Sequence, residues 1–465
     1  MHASLDPASF RDPSGHVYVV EGQVFRTVMP RAREDYEFVR STGVLQRMAE
    51  RGLVIAATEL PRELASARGA NGAANAAYVL EHPPIPYVSY PYEWSFPALK
   101  AAALLTLDVH LEALEHGVTL SDASAYNIQF VGARPVFIDY LSFQRYRDGE
   151  FWIGHRQFCE QFLNPLLLTA MTGVPYHAWY RGTLEGIAPG DLARLLPMRR
   201  KLSWNVLTHV VLQAGFSRPN ASNEAARVSR MQFPLAAFQR MLRSLRRWIA
   251  TLEPARSRAS VWIDYTKQNS YADEDSRRKA AFVGEFARST RPGMLWDVGC
   301  NTGEYAAIAL RNGARAVVGF ESDHGALDAA FAHARTEALA LLPLYLDAAN
   351  PSPSQGWNET ERGGLRARAR ADAVLALAVV HHLAIGRNIP LTAVVDWLID
   401  LAPSGVIEFV PKSDPMVERM LRLRKDIFEN YDEETFLEAV QRRADVVKSE
   451  RASASDRLLV CYRVR

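Results

Sequence analysis

A chain of 465 residues, 48% hydrophobic and 23% charged, has room for two or three globular domains and is too apolar for a disordered segment. Its net charge of +2 gives no overall field to attract nucleic acid, and no apolar run approaches the ~18 residues of a membrane span. Cys159, Cys300 and Cys461 lie far apart and no Cys/His group has metal-site spacing. Together with an N-terminus that lacks a signal pattern, this predicts a cytoplasmic protein with neither disulfide nor metal.

In chain order, residues 16–29 are β-branched and aromatic on both sides of Glu21-Gly22 and predict a hairpin. Residues 34–51 predict one helix, with Phe38, Val39, Leu45 and Met48 on its buried face. An Ala/Gly/Asn-rich loop at 66–77 precedes strand-like segments at 78–80 and 87–92. Residues 97–116 keep Leu104, Leu107, Leu111 and Leu114 at helical spacing, between Pro97 and Gly117. The segment 120–130 then sets Asp122 and Asn127 in Asp-x-x-x-x-Asn spacing, and Asp139 ends the apolar run 135–139. Residues 151–215 read as mostly helical and 216–230 as a polar linker. Residues 234–250 form a basic amphipathic helix whose face of Leu235, Phe238, Leu242, Leu245 and Ile249 is expected to dock between domains.

The C-terminal half alternates strands and helices. A helix is expected at 273–289. The strand 294–298 carries Asp297 near its end, then turns through Gly299-Cys300-Asn301-Thr302-Gly303 into the helix-forming run 305–310. A strand that gives way through glycines to a helix lets a ligand approach the backbone and meet the helix's N-terminal N–H groups. A second apolar strand, 316–320, ends in Glu321-Ser322, 24 positions after Asp297. A carboxylate there suits a ribose diol, since it accepts from two hydroxyls. A helix at 324–339 leads to the strand 342–346 and Asp347-Ala348. Residues 351–370 predict an irregular surface insertion. The apolar run 371–383 predicts a buried parallel strand running into His381-His382-Leu383. A helix at 391–401 and a strand at 405–412, bearing Glu408 and Lys412, follow. A basic helix at 417–425, a capped helix from about 432, and an antiparallel strand pair at 444–450 and 457–463 complete the chain.

The Asp-x-Gly-x-x-x-Gly turn, with acids at the ends of the first three strands, resembles the class I S-adenosylmethionine (SAM) methyltransferases over residues 261–465. The segment 407–416 and the half that precedes the sheet are also similar to a two-part methyltransferase family that includes host-specific nodulation methyltransferases. The resemblance implies a Rossmann-like α/β domain with a mostly parallel seven-stranded sheet and an antiparallel terminal strand pair. It implies a SAM site from Asp297, Gly299, Cys300, Asn301, Gly303, Glu321, Ser322, Asp347 and Ala348, with Asp347 at the adenine edge. Tyr271 would close over the cofactor beside Tyr265. Motif IV of the family implies that His382, or else His381, deprotonates an acceptor hydroxyl. Glu408 and Lys412 stand at a strand's carboxyl end, where α/β sheets meet substrate. No metal is expected at the adjacent histidines.

The order Asp122, Asn127, Asp139 resembles the catalytic and metal-binding loops of protein-kinase-like folds, and implies a kinase-like α+β domain over 1–215, followed by a linker and basic helix at 216–260. Arg26 stands where a phosphate-pairing lysine would be wanted, and residue 120 is Leu where the resemblance calls for His. Mg-ATP is expected only if that domain is active. The expected activity is transfer of a methyl group to a hydroxyl of a small molecule or glycan, with no nucleic-acid partner. A bifunctional kinase–methyltransferase acting on a glycan end, and a non-catalytic SAM-binding scaffold, are the alternatives.

Overall fold

The structure is a computed structural model that describes residues 4–67, 74–216, 234–255, 270–369, 371–422, 425–451 and 456–465, without the side chains of 67, 216 and 270–273. The chain divides into two compact units. One comprises 1–130, 135–257 and 354–362; the other comprises 131–134, 258–353 and 363–465.

The first unit opens with an antiparallel sheet of β1 (Ser4–Leu5), β2 (Val17–Val20), β3 (Gln23–Val28), β4 (Thr58–Leu60) and β5 (Tyr78–His82), in the order β1-β2-β3-β5-β4. Glu21 and Gly22, at φ 51° and 83°, form the two-residue turn between β2 and β3, whose left-handed residues match the twist of the paired strands. The single helix expected at 34–51 is two, Arg33–Thr42 and Val44–Glu50, because Gly43 between them takes φ 65°. Residues 87–92 form no strand: Pro91–Glu93 is a 3-10 turn closed by Glu93, whose carboxylate accepts from the Tyr90 N–H at 2.9 Å. An aromatic run between prolines satisfied the β-propensity pattern without having a ladder partner.

The helix Phe96–Glu115 starts where the Ser95 hydroxyl accepts from the Ala98 N–H. Its alanines and leucines are buried on most sides, and the helix Leu235–Thr251 packs on it through Phe238, Leu242, Leu245 and Ile249. Arg246 on that helix pairs with Asp108 at 2.9 Å. β6 (Val118–Leu120) pairs with β9 (Phe143–Arg145), and β7 (Ile128–Val131) with β8 (Arg134–Phe137). The helical stretch from His155 to Phe216 contains two π turns, Cys159–Leu163 and Leu207–Val211. Residues 354–362 are lodged in this unit rather than forming only a surface loop. Glu361 is buried, and Arg11 grips its carboxylate with two hydrogen bonds of 2.8 and 3.0 Å.

The second unit is built on a seven-stranded sheet. Its strands are β10 (Leu295–Val298), β11 (Val317–Glu321), β12 (Leu341–Tyr345), β13 (Ala373–Ala376), β14 (Ser404–Phe409), β15 (Ala444–Arg451) and β16 (Leu458–Val464). They run in the order β12-β11-β10-β13-β14-β16-β15, the first five parallel and β16 antiparallel to both neighbours. This is the mostly parallel sheet with an antiparallel end that the sequence predicts. β10 and β13 are buried at every position, as strands covered on both faces require. The chain leaves β10 toward β11 on one side and returns to β13 on the other, which opens a crevice at the carboxyl ends of those two strands.

One expectation in this unit is corrected. The apolar run 371–383 is not one strand: β13 ends at Ala376, Ala378 takes φ 53°, and His381 and His382 lie in the first turn of the helix Val380–Arg387. An unbroken apolar run gives no sign of where extended backbone becomes helix.

Candidate functional site

The site begins at Asp297. Its place in a fully buried strand leaves the side chain without water, and burial together with the negative charge of Glu321 pushes its carboxyl up to about 7. The chain then turns at Gly299, φ 78°, where a Cβ would stand 2.5 Å from Val379 Cγ2. It enters the helix Glu304–Arg311 from Gly303, φ 82°, where a Cβ would stand 2.9 Å from Leu341 Cδ2. Both glycines are therefore required twice over, by backbone conformation and by space. The N–H groups of Gly299 and Cys300 both donate to the Phe320 carbonyl, tying the turn to β11. The Cys300 thiol is buried, and burial raises its pKa well above the ordinary value, so it is a packing group.

Glu321 joins the ends of β10 and β11. One carboxylate oxygen accepts from the Asn301 N–H at 2.9 Å, and the other from the N–H groups of Ser322 and Asp323 at 2.7 and 2.8 Å. Three backbone donors fix its direction while leaving it half-exposed. Asp347, beyond β12, accepts from the Ala349 N–H at 3.0 Å and lies 3.4 Å from Arg387. Ala348 beside it is half-buried. Next to this edge His324 and Tyr345 stack with ring centroids 5.0 Å apart.

On the other side of the crevice is a charged cluster. Glu408, fully buried on β14, has its Oε1 2.6 Å from Lys279 Nζ and 3.7 Å from Arg457 Nη1; Arg457 also binds Asp414 at 2.7 Å. His381 is buried against it: desolvation, then the charges of His382, Arg457 and Lys279, push its imidazole down to about 2. His382, 4.1 Å away by ring centroid, is half-buried, and its pKa is lowered by desolvation and by Arg457. Burial, then the charges of Glu304 and Glu408, raise the Tyr305 hydroxyl pKa.

The structure thus gathers Asp297, Gly299, Gly303, Asn301, Glu321 and Ser322 into one turn, and Glu408 with the histidines into a second group. Lys412 is committed elsewhere, to Asp426 at 2.9 Å and the Phe428 carbonyl at 2.7 Å. Tyr265 lies outside the described residues; Tyr271 falls on the helix Ser270–Thr290, and its side chain is outside them too. Lys279, Tyr305, Asp414 and Arg457 are absent from the sequence-based expectation. Lys279 could have been found: it shares a helical stripe with Phe282, Val283 and Phe286, all buried, and a lysine on an apolar stripe needs a buried anion.

In the first unit Asp122, Asn127 and Asp139 do converge. Asn127 hydrogen-bonds Asp122, and burial and the charge of Asp139 raise the Asp122 carboxyl. Asp139 also accepts from Ser142 at 2.5 Å and from Arg26 at 2.9 Å, with Asp12 on the same guanidinium. Apart from these, His155, Cys159 and His209, all buried, bring their donor atoms within 4.8 Å of one another, although their sequence spacing matched no metal motif. Among the described residues no helix is long and apolar enough to cross a membrane.

No family model matches the chain. It is 43% identical over 457 residues to the nodulation protein NoeA of Rhizobium meliloti (strain 1021), covering 98% of this chain and 95% of that protein. Solved structures with a similar part include the magnesium protoporphyrin IX methyltransferase ChlM of Synechocystis PCC 6803 with bound SAM, 17% identical with TM-score 0.31, over 44% of this chain and 92% of that one. Another is the N-methyltransferase NodS of Bradyrhizobium japonicum WM9, 12% identical with TM-score 0.29, over 41% and 96%. At such scores these two likenesses decide nothing about activity.

Proposed function

The chain belongs to the family of the nodulation protein NoeA, and from that premise and the geometry of its crevice we propose that it is a SAM-dependent methyltransferase. The observation that carries the reading is the meeting of Asp297 and Glu321 over the Gly299–Gly303 turn, at the point where the sheet reverses its winding. The fit to SAM rests on chemistry. A buried carboxyl with a second acid beside it suits a cationic amino acid group, and an outward carboxylate held by three N–H groups suits a ribose diol. The two glycines let the turn that carries these acids pack against Val379 and Leu341, where Cβ atoms would collide.

When bound, SAM supplies a methyl carbon activated by its sulfonium. The chain's own contribution is alignment and proton handling. Asp297 and Glu321 would hold the amino acid and ribose ends, and Asp347 with Ala348 the adenine edge. Across the crevice, Lys279, Glu408 and Arg457 would orient an acceptor hydroxyl on a small molecule or glycan. His382 is the better base: a conjugate acid pKa of about 2 makes His381 too weak to take a proton near neutrality. His381 then acts as a neutral wall of the pocket.

Titration calorimetry is the first test. SAM should bind the wild type and fail to bind Gly299→Arg; equal affinity for both would overturn the site. Labelled SAM with a cell extract should yield a labelled product, and His382→Ala should lower turnover ~100-fold or more without loss of SAM affinity. SAM binding with no turnover in any extract would favour the scaffold reading. For the first unit, the contact of Arg26 with Asp139 favours a kinase-like scaffold over an active kinase, since the guanidinium holds the carboxylate that magnesium would need. Mg-ATP should not bind. If it does, and Asp122→Ala abolishes phosphate transfer while leaving methylation intact, the bifunctional reading replaces this one.

A further inference from the structure

We propose that His155, Cys159 and His209 form a zinc site in the first unit. His155 and Cys159 stand four positions apart, one turn along a helix that passes into the π turn Cys159–Leu163. His209 comes from the second π turn, Leu207–Val211. A π turn is a rare insertion that re-aims side chains and recurs at functional sites; here two of them present ligand atoms to one point. His155 Nε2 lies 3.1 Å from His209 Nδ1 and 3.7 Å from Cys159 Sγ. A tetrahedral zinc ion, with Zn–N of ~2.0–2.1 Å and Zn–S of ~2.3 Å, needs ligand separations of roughly 3.3 Å for N···N and 3.6 Å for N···S. These two separations sit within a few tenths of an ångström of those values, and the remaining pair, Cys159 and His209, lies within 4.8 Å.

The surroundings suit a borderline-soft cation. A thiol and two imidazoles select zinc over magnesium or calcium. Trp152, Phe151 and Trp248 ring the pair of histidines with apolar surface. Gln213 stands 2.5 Å from His155 Nδ1. A half-turn of its amide sets Oε1 against Nδ1–H, the outer hydrogen bond by which a ligating histidine is oriented. On binding, the Cys159 S–H bond breaks, its proton passes to solvent, and the sulfur electron pair forms the Zn–S bond. Three protein ligands then leave one position for water. With the donors buried and no carboxylate among them, the ion's role is to clamp the segments 155–163 and 207–213 together.

The test uses the full chain purified from zinc-supplemented culture, with metal content measured by mass spectrometry, then stripped with chelator and titrated with Co²⁺. About one zinc per chain and a thiolate-to-cobalt charge-transfer band are expected. Cys159→Ser should lose the band and His209→Gln should cut zinc content at least ~10-fold, with a far-UV circular dichroism spectrum that matches the wild type reporting that each variant is folded. The wild type alone can refute the site: less than about a tenth of an equivalent of zinc, with no cobalt band, overturns it. So does full zinc content retained in the Cys159→Ser/His209→Gln double variant.

Discussion

Asp297 is the residue on which pH should act. Its folded carboxyl stands at about 7 against an ordinary 3.8, so between those values the folded chain holds a proton that the unfolded chain has released. That stability is fully present below the unfolded pKa and is lost as pH rises through about 7. Asp297→Asn, neutral at every pH, should therefore match the wild type near pH ~4 and exceed it in thermal midpoint above pH ~7. A bound cation lowers an adjacent carboxyl pKa, so SAM binding near pH ~6 should release a proton, and affinity should climb with pH until about 7. Calorimetry in buffers of different ionisation enthalpy measures that proton directly; a wild type that releases none separates Asp297 from the amino acid end of SAM. Glu321→Gln tests the other acid. It should weaken SAM roughly 10- to 100-fold, the ~1–3 kcal/mol of a charge-assisted hydrogen bond. Both acids were legible because each ends an apolar strand, where no core role explains a carboxylate. The partners of Glu408 were not, since a lysine at 279 and an arginine at 457 meet it only after a helix and a strand have packed.

At the scale of elements, that meeting is what ties the helix Ser270–Thr290 to β14 and to the chain entering β16. Glu408 is fully buried and the Lys279 side chain is 10% exposed, so removing either partner strands a charge away from water. Lys279→Met should cost ~3–5 kcal/mol, as should Glu408→Leu, while the double variant should recover most of the loss because Arg457 keeps Asp414. Denaturant unfolding of the four proteins gives the coupling energy; additive losses would mean that the pair carries no interaction of its own. Acceptor turnover should fall in all three variants, even where stability returns. Element type was readable wherever pattern and length agreed, as in the helix Leu391–Leu401. It failed where one glycine decided the outcome, at Gly43, and where an apolar run changed from strand to helix before His381 without any polar mark.

For the whole chain, the alternation of apolar runs with helices made the second unit legible, because a parallel sheet needs a crossover between every pair of strands. The first unit resisted the same reading. Its antiparallel pairings are set by turns and side-chain contacts, and one of its pieces, 354–362, comes from within the other unit's sequence. That piece is held by Arg11, 350 positions from Glu361, and by Arg362 over the Tyr126 ring at 4.2 Å. Nothing in the local pattern of 351–370 encodes either contact. Two cores of this size imply separate responses to separate ligands. SAM at ~100 times its Kd adds ~2.7 kcal/mol to the unit that binds it, which for a unit of about 200 residues raises its midpoint by roughly 5–10 °C. Scanning calorimetry of the full chain should therefore show one transition that SAM moves and another that it leaves in place. Chelation of zinc should lower only the second. A single transition moved by both reagents would mean that the 354–362 segment couples the two cores into one cooperative block; in that case Arg11→Ala, which removes two hydrogen bonds to Glu361 and leaves it that of the Trp357 N–H, should split it.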